Sequence, residues 1–353
     1  MSETKTTQIN QKCSTCGGNL VFNPTRQSLV CERCGNIAPV SGVTTTEKSL
    51  QLLLSNAPKW QKDTVVWQCE HCGAKSVVTK TDLVAKCEYC GRTNLLKTGE
   101  LPGVRPDTVV PFKFDQKEAD RIIRGWLSRR CFAPNRYKRQ LTLRHMSGVY
   151  YPAFTFDAQT TTVYRGVAVS TETNTRTVDG HSISESFTSR RPVHGFDQHV
   201  FDDVLVVANN AITAETIHTL APFDTNHGQC YQNSYLSGYT VFQSTIEPTA
   251  CWEMGKKSMH RVIYDKITTK YGDVRLENLD LDMKINNVTY KHVLLPIYVG
   301  YTEYNNKKYE IYINGQTGKV SGKTPKSGWK IFTFFASMAV AVFGFGILLA
   351  ALL

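Results

Sequence analysis

The sequence predicts an α+β protein: two N-terminal zinc ribbons, then a β-rich α+β domain, then one C-terminal transmembrane helix. Three observations predict it. Eight of the eleven cysteines fall in four CxxC pairs. Beyond residue 105, two amphipathic helical patterns stand among apolar, β-branched runs of strand length. The last 23 residues hold no charge. The expected organisation is ribbon 1 over 11–42, a helical linker over 43–59, ribbon 2 over 60–100, the α+β domain over 105–325 and the membrane helix over 331–353.

The four pairs form two copies of one pattern, Cys13, Cys16, Cys31 and Cys34, then Cys69, Cys72, Cys87 and Cys90. In each copy 14 residues separate the inner cysteines, and Gly17, Gly35, Gly73 and Gly91 follow the pairs. Four thiolates at this spacing make a tetrahedral site suited to Zn²⁺, so two structural zinc ions are expected. The glycines have a mechanical reason. The turn after a knuckle needs positive φ and brings backbone N–H groups close to sulfur. Iron shares the tetrahedral thiolate ligand set, although nothing else in the sequence points to electron transfer. Each ribbon closes most simply on its own four cysteines, but the spacing also permits pairing of knuckles across ribbons. A disulfide framework suits a secreted chain, whereas residues 1–12 are polar and carry no apolar signal segment. His71 sits in a knuckle already saturated by sulfur and is read as solvent-facing. Cys131, Cys230 and Cys251 are isolated and read as small buried hydrophobes.

After ribbon 1, Thr44 and Glu47 have capping-box spacing, and Leu50, Leu53 and Leu54 give a short apolar stripe. This predicts a helix over 45–55, ended by Ala57-Pro58. In the main domain, residues 108–114 predict a short strand. Asp115 then caps a helix whose inner face is Ala119, Ile122, Ile123, Trp126 and Leu127. From Tyr150 the texture turns to β, with TTTVYRGVAV, SISESFTS and FDDVLVVA at strand length. A second helix is expected over 249–270, with Trp252, Met259, Val262, Ile263 and Ile267 inward. The runs VRLENLDLDMKI, VLLPIYVGYTEY and KKYEIYI follow, and Asn314-Gly315 signals a hairpin turn. Val149–Pro152 and Val293–Pro296 repeat a VxxP motif at an offset of 144. It reads either as an old duplication of a helix-plus-sheet unit or as coincidence among β-rich segments.

The formal net charge is +11, all of it within residues 1–330. Arg121, Arg124, Arg129, Arg130, Arg136, Lys138, Arg139 and Arg144 stand in one stretch without an Asp or Glu. Such a field calls for an anionic lipid surface, an acidic partner or a phosphate backbone; a solvated helix face is the plain alternative. Lys319, Lys323, Lys326 and Lys330 precede the apolar end. A helix over 331–353 would be about 35 Å long, against a hydrocarbon core of about 30 Å. The positive-inside rule then keeps residues 1–330 in the cytoplasm, with the helix as a tail anchor. A signal for GPI attachment is the other reading, and it requires an export signal that residues 1–12 lack.

Several segments together carry a family resemblance. They are the ribbon pair, VVPFKFD before the helix bearing Trp126, GVYYPAFTFD at 148–157, FDDVLVVA at 201–208, LAPFD at 220–224 and NGQTGKVSGKTP at 314–325. In this order they resemble a bacterial family labelled TFIIB-type zinc ribbon or primosomal protein N′-like, over nearly all of 13–330. The membrane-anchored members look like partners of flotillin-like (SPFH) and phage-shock protein A type proteins. The resemblance implies scaffolding at the bacterial cytoplasmic membrane. It does not imply helicase activity. Gly318 to Thr324 puts three residues between its glycines where a phosphate-binding loop needs four, and Pro325 follows where a helix should start.

The expected function is therefore a zinc-binding, tail-anchored scaffold that presents its ribbons to protein partners. A nucleic-acid-binding ribbon protein without helicase activity is the alternative. Catalysis is not expected. In HGFDQHVFDD, His194, Asp197, His199, Asp202 and Asp203 offer metal-ligand types, but the segment reads as a loop entering a strand. No nucleophile with a neighbouring base is evident.

Overall fold

The computed structural model describes residues 6–8, 11–40, 42–56, 64–69, 75–79, 95–97, 104–140, 146–178, 181–272, 274–305 and 307–352. β1 (Thr6–Gln8) precedes the first ribbon. β2 (Gln11–Lys12), β3 (Asn19–Asn23), β4 (Ser28–Cys31) and β5 (Ile37–Pro39) form the ribbon's antiparallel sheet. β6 (Lys48–Ser49) leads directly into α1 (Leu50–Asn56). The expected capping box is not formed, because Glu47 turns toward the main domain and bonds Thr289 and Lys291 instead. The helix therefore starts at Leu50, with Leu53 buried and Leu54 47% exposed.

β7 (Thr64–Cys69) pairs with β8 (Lys75–Thr79) and β9 (Leu95–Lys97). β8 also runs parallel to β1. These strands belong to the expected second ribbon. Cys69 ends β7, whereas Cys72, Cys87, Cys90 and His71 lie outside the described residues.

The main domain opens with β10 (Thr108–Val109), shorter than the strand expected over 108–114. α2 (Gln116–Ser128) follows, capped by the Asp115 carboxylate on the Glu118 N–H at 2.9 Å. α3 (Asn135–Gln140) precedes two very long strands, β11 (Ser147–Val178, 32 residues) and β12 (His181–Val207, 27 residues). Then come α4 (Ala214–Leu220), β13 (Gln229–Cys230), α5 (Asn233–Leu236) and β14 (Thr240–Phe242). α6 (Pro248–Lys270) leads to β15 (Arg275–Tyr304), β16 (Lys307–Asn314), β17 (Val320–Gly322) and α7 (Gly328–Leu352).

The strand runs read separately in the sequence are continuous here. β11 would reach roughly 100 Å fully extended. It pairs antiparallel with β12 on one side and β15 on the other. Bulges interrupt the register near Asp157 and Arg165. Asp203, Asn278 and Asn287 take positive φ there, which Asp and Asn tolerate best among residues with a Cβ. Among the described residues, β11 pairs only with β12 from Ser170 to Val178, so the hairpin continues beyond the third strand.

The two VxxP segments meet in this sheet. Tyr151 lies opposite Leu295, its own counterpart at the offset of 144, so the pairing turns about a local two-fold axis. The short strands obey the same symmetry. Thr108 and Val109 run parallel to Val293 and Leu294, while Thr240 and Val241 run parallel to Val149 and Tyr150. Each short strand leads into a helix, and each pairs with the other unit's long strand.

Packing follows the apolar stripes. Ala119, Ile123 and Leu127 of α2 are buried with Phe112, Tyr150 and Tyr298. Trp252, Met259, Ile263 and Ile267 of α6 cover Phe154, Phe156 and Tyr164. Val262, expected inward, is 44% exposed. The hairpin turn expected at Asn314 joins β16 to β17. The Asn314 side chain accepts from the N–H groups of Gln316 and Thr317, and Gly318 takes φ of +73°.

α7 meets the main domain through its first turns. The Ser327 N–H donates to the Phe132 carbonyl at 2.8 Å, and the Phe132 and Phe334 rings pack edge to face. Farther along, Phe335, Met338, Val340 and Val342 are exposed. The expected span over 331–353 falls partly outside the described side chains, and among the described residues no helix is long and apolar enough to cross a membrane.

Candidate metal centre

The first ribbon brings Cys13, Cys16, Cys31 and Cys34 together, with all four Sγ atoms within 4.8 Å of one another. Cys13 and Cys34 are 3.8 Å apart, and Cys16 and Cys31 are 3.4 Å apart. These gaps exceed a disulfide bond of about 2.05 Å. They match four sulfurs around one ion, since Zn–S bonds of about 2.3 Å at tetrahedral angles separate sulfurs by about 3.8 Å. One zinc ion therefore fits the set, and the ribbon closes on its own four cysteines.

Local backbone geometry builds the knuckles. The Gly17 N–H donates to the Cys13 carbonyl at 2.8 Å, and the Gly35 N–H to the Cys31 carbonyl at 2.9 Å. Gly17 and Gly35 take φ of +70° and +71°, the left-handed conformation their place in the motif required. Gly18 escaped the sequence reading. A Cβ there would stand 3.1 Å from the Cys31 sulfur and 3.3 Å from that of Cys16. Asn36 also went unnoticed, and its side-chain amide donates to the Cys13 sulfur.

The thiols are electrostatically divided. Backbone N–H groups of Thr15 and Cys16 bring the Cys13 pKa down to about 6. The Cys34 N–H and Arg33 N–H lower that of Cys31. At Cys34 the Asn36 N–H favours the thiolate, but the sulfurs of Cys16, Cys31 and Cys13, with burial, outweigh it and push the thiol up to about 12. Four thiolates repel one another without a cation between them, and a metal's charge removes that conflict.

The ribbon is seated on the main domain. Its Phe22 is buried against the ring of Tyr235, and the Ser237 hydroxyl donates to the Leu20 carbonyl. Gln27 donates its amide to the Phe112 carbonyl at 2.8 Å.

The basic stretch divides. Arg121 pairs with Glu118 and Arg124 with Asp120, acids lying one helical turn earlier. Arg129, Arg130, Arg136 and Arg139 are exposed, and among the described residues no ion pair engages them. Lys138 donates to the Ser128 carbonyl at the end of α2. Arg144 lies outside the described residues. The lysines before residue 331 differ in use. Lys319 caps the Ala221 carbonyl and Lys330 folds back onto residues 131–135, while Lys323 and Lys326 are exposed.

The HGFDQHVFDD segment lies wholly within β12, not in a loop. His194 and His199 differ by an odd number of strand positions and face opposite sides of the sheet. His199 packs on Phe201 and approaches Lys266, which pairs with Asp197 at 2.8 Å. Cys251 is buried as expected, Cys230 is half-buried, and Cys131 is exposed.

Sequence reasoning also missed an ionic clasp between the linker and the sheet. Lys291 is 5% exposed and lies 3.2 Å from Glu47 and 3.5 Å from Asp203. Burial alone would lower its pKa, but Asp203, Glu47 and Asp157 raise it. Asp157 accepts the Asp203 N–H at 2.7 Å and shares a hydrogen bond with Glu47. Burial, then Glu47, pushes its carboxyl from 3.8 up to about 7. Between those values the folded chain holds a proton that the unfolded chain has released, so stability contributed here falls as pH rises toward 7. Asp157→Asn keeps the acceptor and supplies a donor to Glu47. It is expected to flatten that dependence and raise the melting temperature at pH 8 by about 3 °C, measured by calorimetry across the pH range.

The N-terminal fold and its sulfur site define a zinc ribbon, and residues 8–40 match the A2-L zinc ribbon domain family. The whole chain is similar to an uncharacterized protein, YdjG, of Bacillus subtilis (strain 168). The two are 24% identical over 347 residues, which cover 95% of each chain. No solved structure matches the chain.

Proposed function

We propose that this chain is a non-catalytic, zinc-binding membrane adaptor. In this reading α7 anchors it in the bacterial cytoplasmic membrane, and residues 1–330 present two zinc-loaded ribbons to protein partners in the cytoplasm. The carrying observation is the surface of α7. Phe332, Phe335, Met338, Val340 and Val342 leave the main domain uncovered, and a helix of 25 residues extends about 38 Å. Uncovered apolar surface of this size is costly in water and favourable in lipid. Lys319, Lys323, Lys326 and Lys330 precede the uncharged run that starts at Ile331, as positive-inside orientation requires.

The second zinc belongs to the same reading, carried by Cys69, Cys72, Cys87 and Cys90. Zinc ribbons are small modules whose folding energy comes from the metal, and such modules commonly offer a hairpin edge and knuckle loops to a protein partner. The family resemblance directs the choice of partner toward flotillin-like or phage-shock type membrane proteins.

Affinity capture of the membrane-embedded chain with mild cross-linking tests it. Capture of such membrane proteins, with or without nuclease, is expected. Cys69→Ser with Cys72→Ser should reduce it if ribbon 2 makes the contact. Partners from replication or transcription, or capture lost with nuclease, would replace the adaptor reading by a nucleic-acid-binding one.

A further inference from the structure

We infer that residues 129–139 form a collar for anionic lipid headgroups around the membrane-entry end of α7. This rests on the anchor reading and names what the basic surface touches.

The collar is fixed to the helix by contacts that the sequence does not announce. The Lys330 ammonium donates to the Cys131 carbonyl at 3.3 Å, the Ala133 carbonyl at 2.8 Å and the Asn135 side-chain oxygen at 2.7 Å. The Ser327 N–H and the Phe132–Phe334 ring pair close the same junction. An open groove of about 430 Å³ lies there, lined by Cys131, Phe132, Lys330, Thr333, Phe334 and Ser337. Trp329 is 73% exposed beside it, an aromatic side chain at the level where an interface would begin.

Among the described residues no carboxylate pairs with the arginines at this level. A helix C-terminus attracts cations through its carbonyls, which could by itself explain basic residues after α2. Lys138 already answers the Ser128 carbonyl there. Arg130 lies with its guanidinium carbon 4.5 Å from the centroid of the Trp126 ring, and no carboxylate among the described residues engages it. Arg129, Arg136 and Arg139 are exposed, and Lys326 stands next to Ser327. Arg121 and Arg124 drop out, since carboxylates on α2 already engage them.

Guanidinium groups bind phosphate oxygens two at a time, and an anionic bilayer supplies phosphates in the plane that the helix crosses. Each basic residue near such a surface contributes about 1 kcal/mol, roughly a fivefold enrichment. A nucleic acid would have to enter that same plane against the negative membrane surface. The geometry therefore favours lipid.

The test uses the full chain reconstituted in phosphatidylcholine vesicles, with or without phosphatidylglycerol. Each holds a trace of phosphatidylglycerol with a photoactivatable headgroup. Cross-links are expected on peptides from 129–139, diluted by unlabelled phosphatidylglycerol and weakened by salt. Arg129→Glu with Arg130→Glu should lower them roughly 25-fold or more, and Arg129→Lys with Arg130→Lys should retain most of them. Arg136→Glu with Arg139→Glu gives an independent loss, with zinc content verifying that each variant folds. Unchanged cross-linking in both Glu variants, in a chain that resists carbonate extraction, overturns the collar and leaves the anchor standing. Extraction by carbonate from both vesicle types overturns both.

Discussion

Changing Cys13 and Cys31 together to Ser is expected to unfold residues 11–40 and loosen the main domain beneath them. Structural zinc contributes about 10–16 kcal/mol to small ribbons at neutral pH, and a four-stranded sheet of 2 to 5 residues per strand has little else. The loss does not stay local. Phe22 is 1% exposed within the cluster that also buries Phe112, Tyr235 and Tyr239. Emptying that seat resembles truncating a buried Phe, a cost of about 3–5 kcal/mol. Zinc release and hydrogen exchange over residues 11–40 and 233–242 measure the two effects. Phe22→Ala separates them, because it should keep the ion and lose only the seat. If residues 11–40 stay protected in the Ser variant or under a strong chelator, the ion is not what holds the ribbon.

The ribbon was the most legible part of the chain because its chemistry dictates spacing. Sulfur must reach one point from two knuckles, and the knuckle backbone needs glycine at positive φ. α2 was legible for a similar reason: Asp115 caps it and its apolar residues recur at helical spacing. Strand length was not legible. The bulge at Asn287 falls between VRLENLDLDMKI and VLLPIYVGYTEY, so β15 read as two pieces, and in β12 the polar run between SISESFTS and FDDVLVVA read as a loop. Glu47 misled for another reason. Its spacing from Thr44 suits a cap, but the buried ammonium of Lys291 offers a stronger partner, reachable only after the chain folds. The basic stretch was misjudged at its start, because the acids that neutralise Arg121 and Arg124 lie just before the window in which none was counted. The VxxP repeat was ambiguous in one dimension. Its meaning emerges only in the sheet, where the two copies face one another.

Changing both Val340 and Val342 to Arg is expected to move the chain from the membrane fraction to the aqueous one. Residues 331–353 hold thirteen Ile, Leu, Phe or Val side chains. At roughly −0.3 to −0.6 kcal/mol each, they favour insertion by about 4–8 kcal/mol. One Arg near the centre of a span costs about 2.5–3.5 kcal/mol, so a single change should be partly tolerated and two should cancel the preference. Both valines are already exposed, at 73% and 67%, so the change removes no contact with the main domain. A variant that leaves the membrane should therefore keep its ribbon zinc and the thermal transition of its main domain, which carbonate extraction followed by zinc analysis and calorimetry can read together. The wild-type chain is the decisive control. If it partitions into water as a stable monomer, α7 must find cover on protein, and the anchor reading is wrong. If it stays with the membrane and only the double variant leaves, the uncovered face of α7 is a lipid-facing surface. The proposed collar of residues 129–139 then stands at the height of the headgroups.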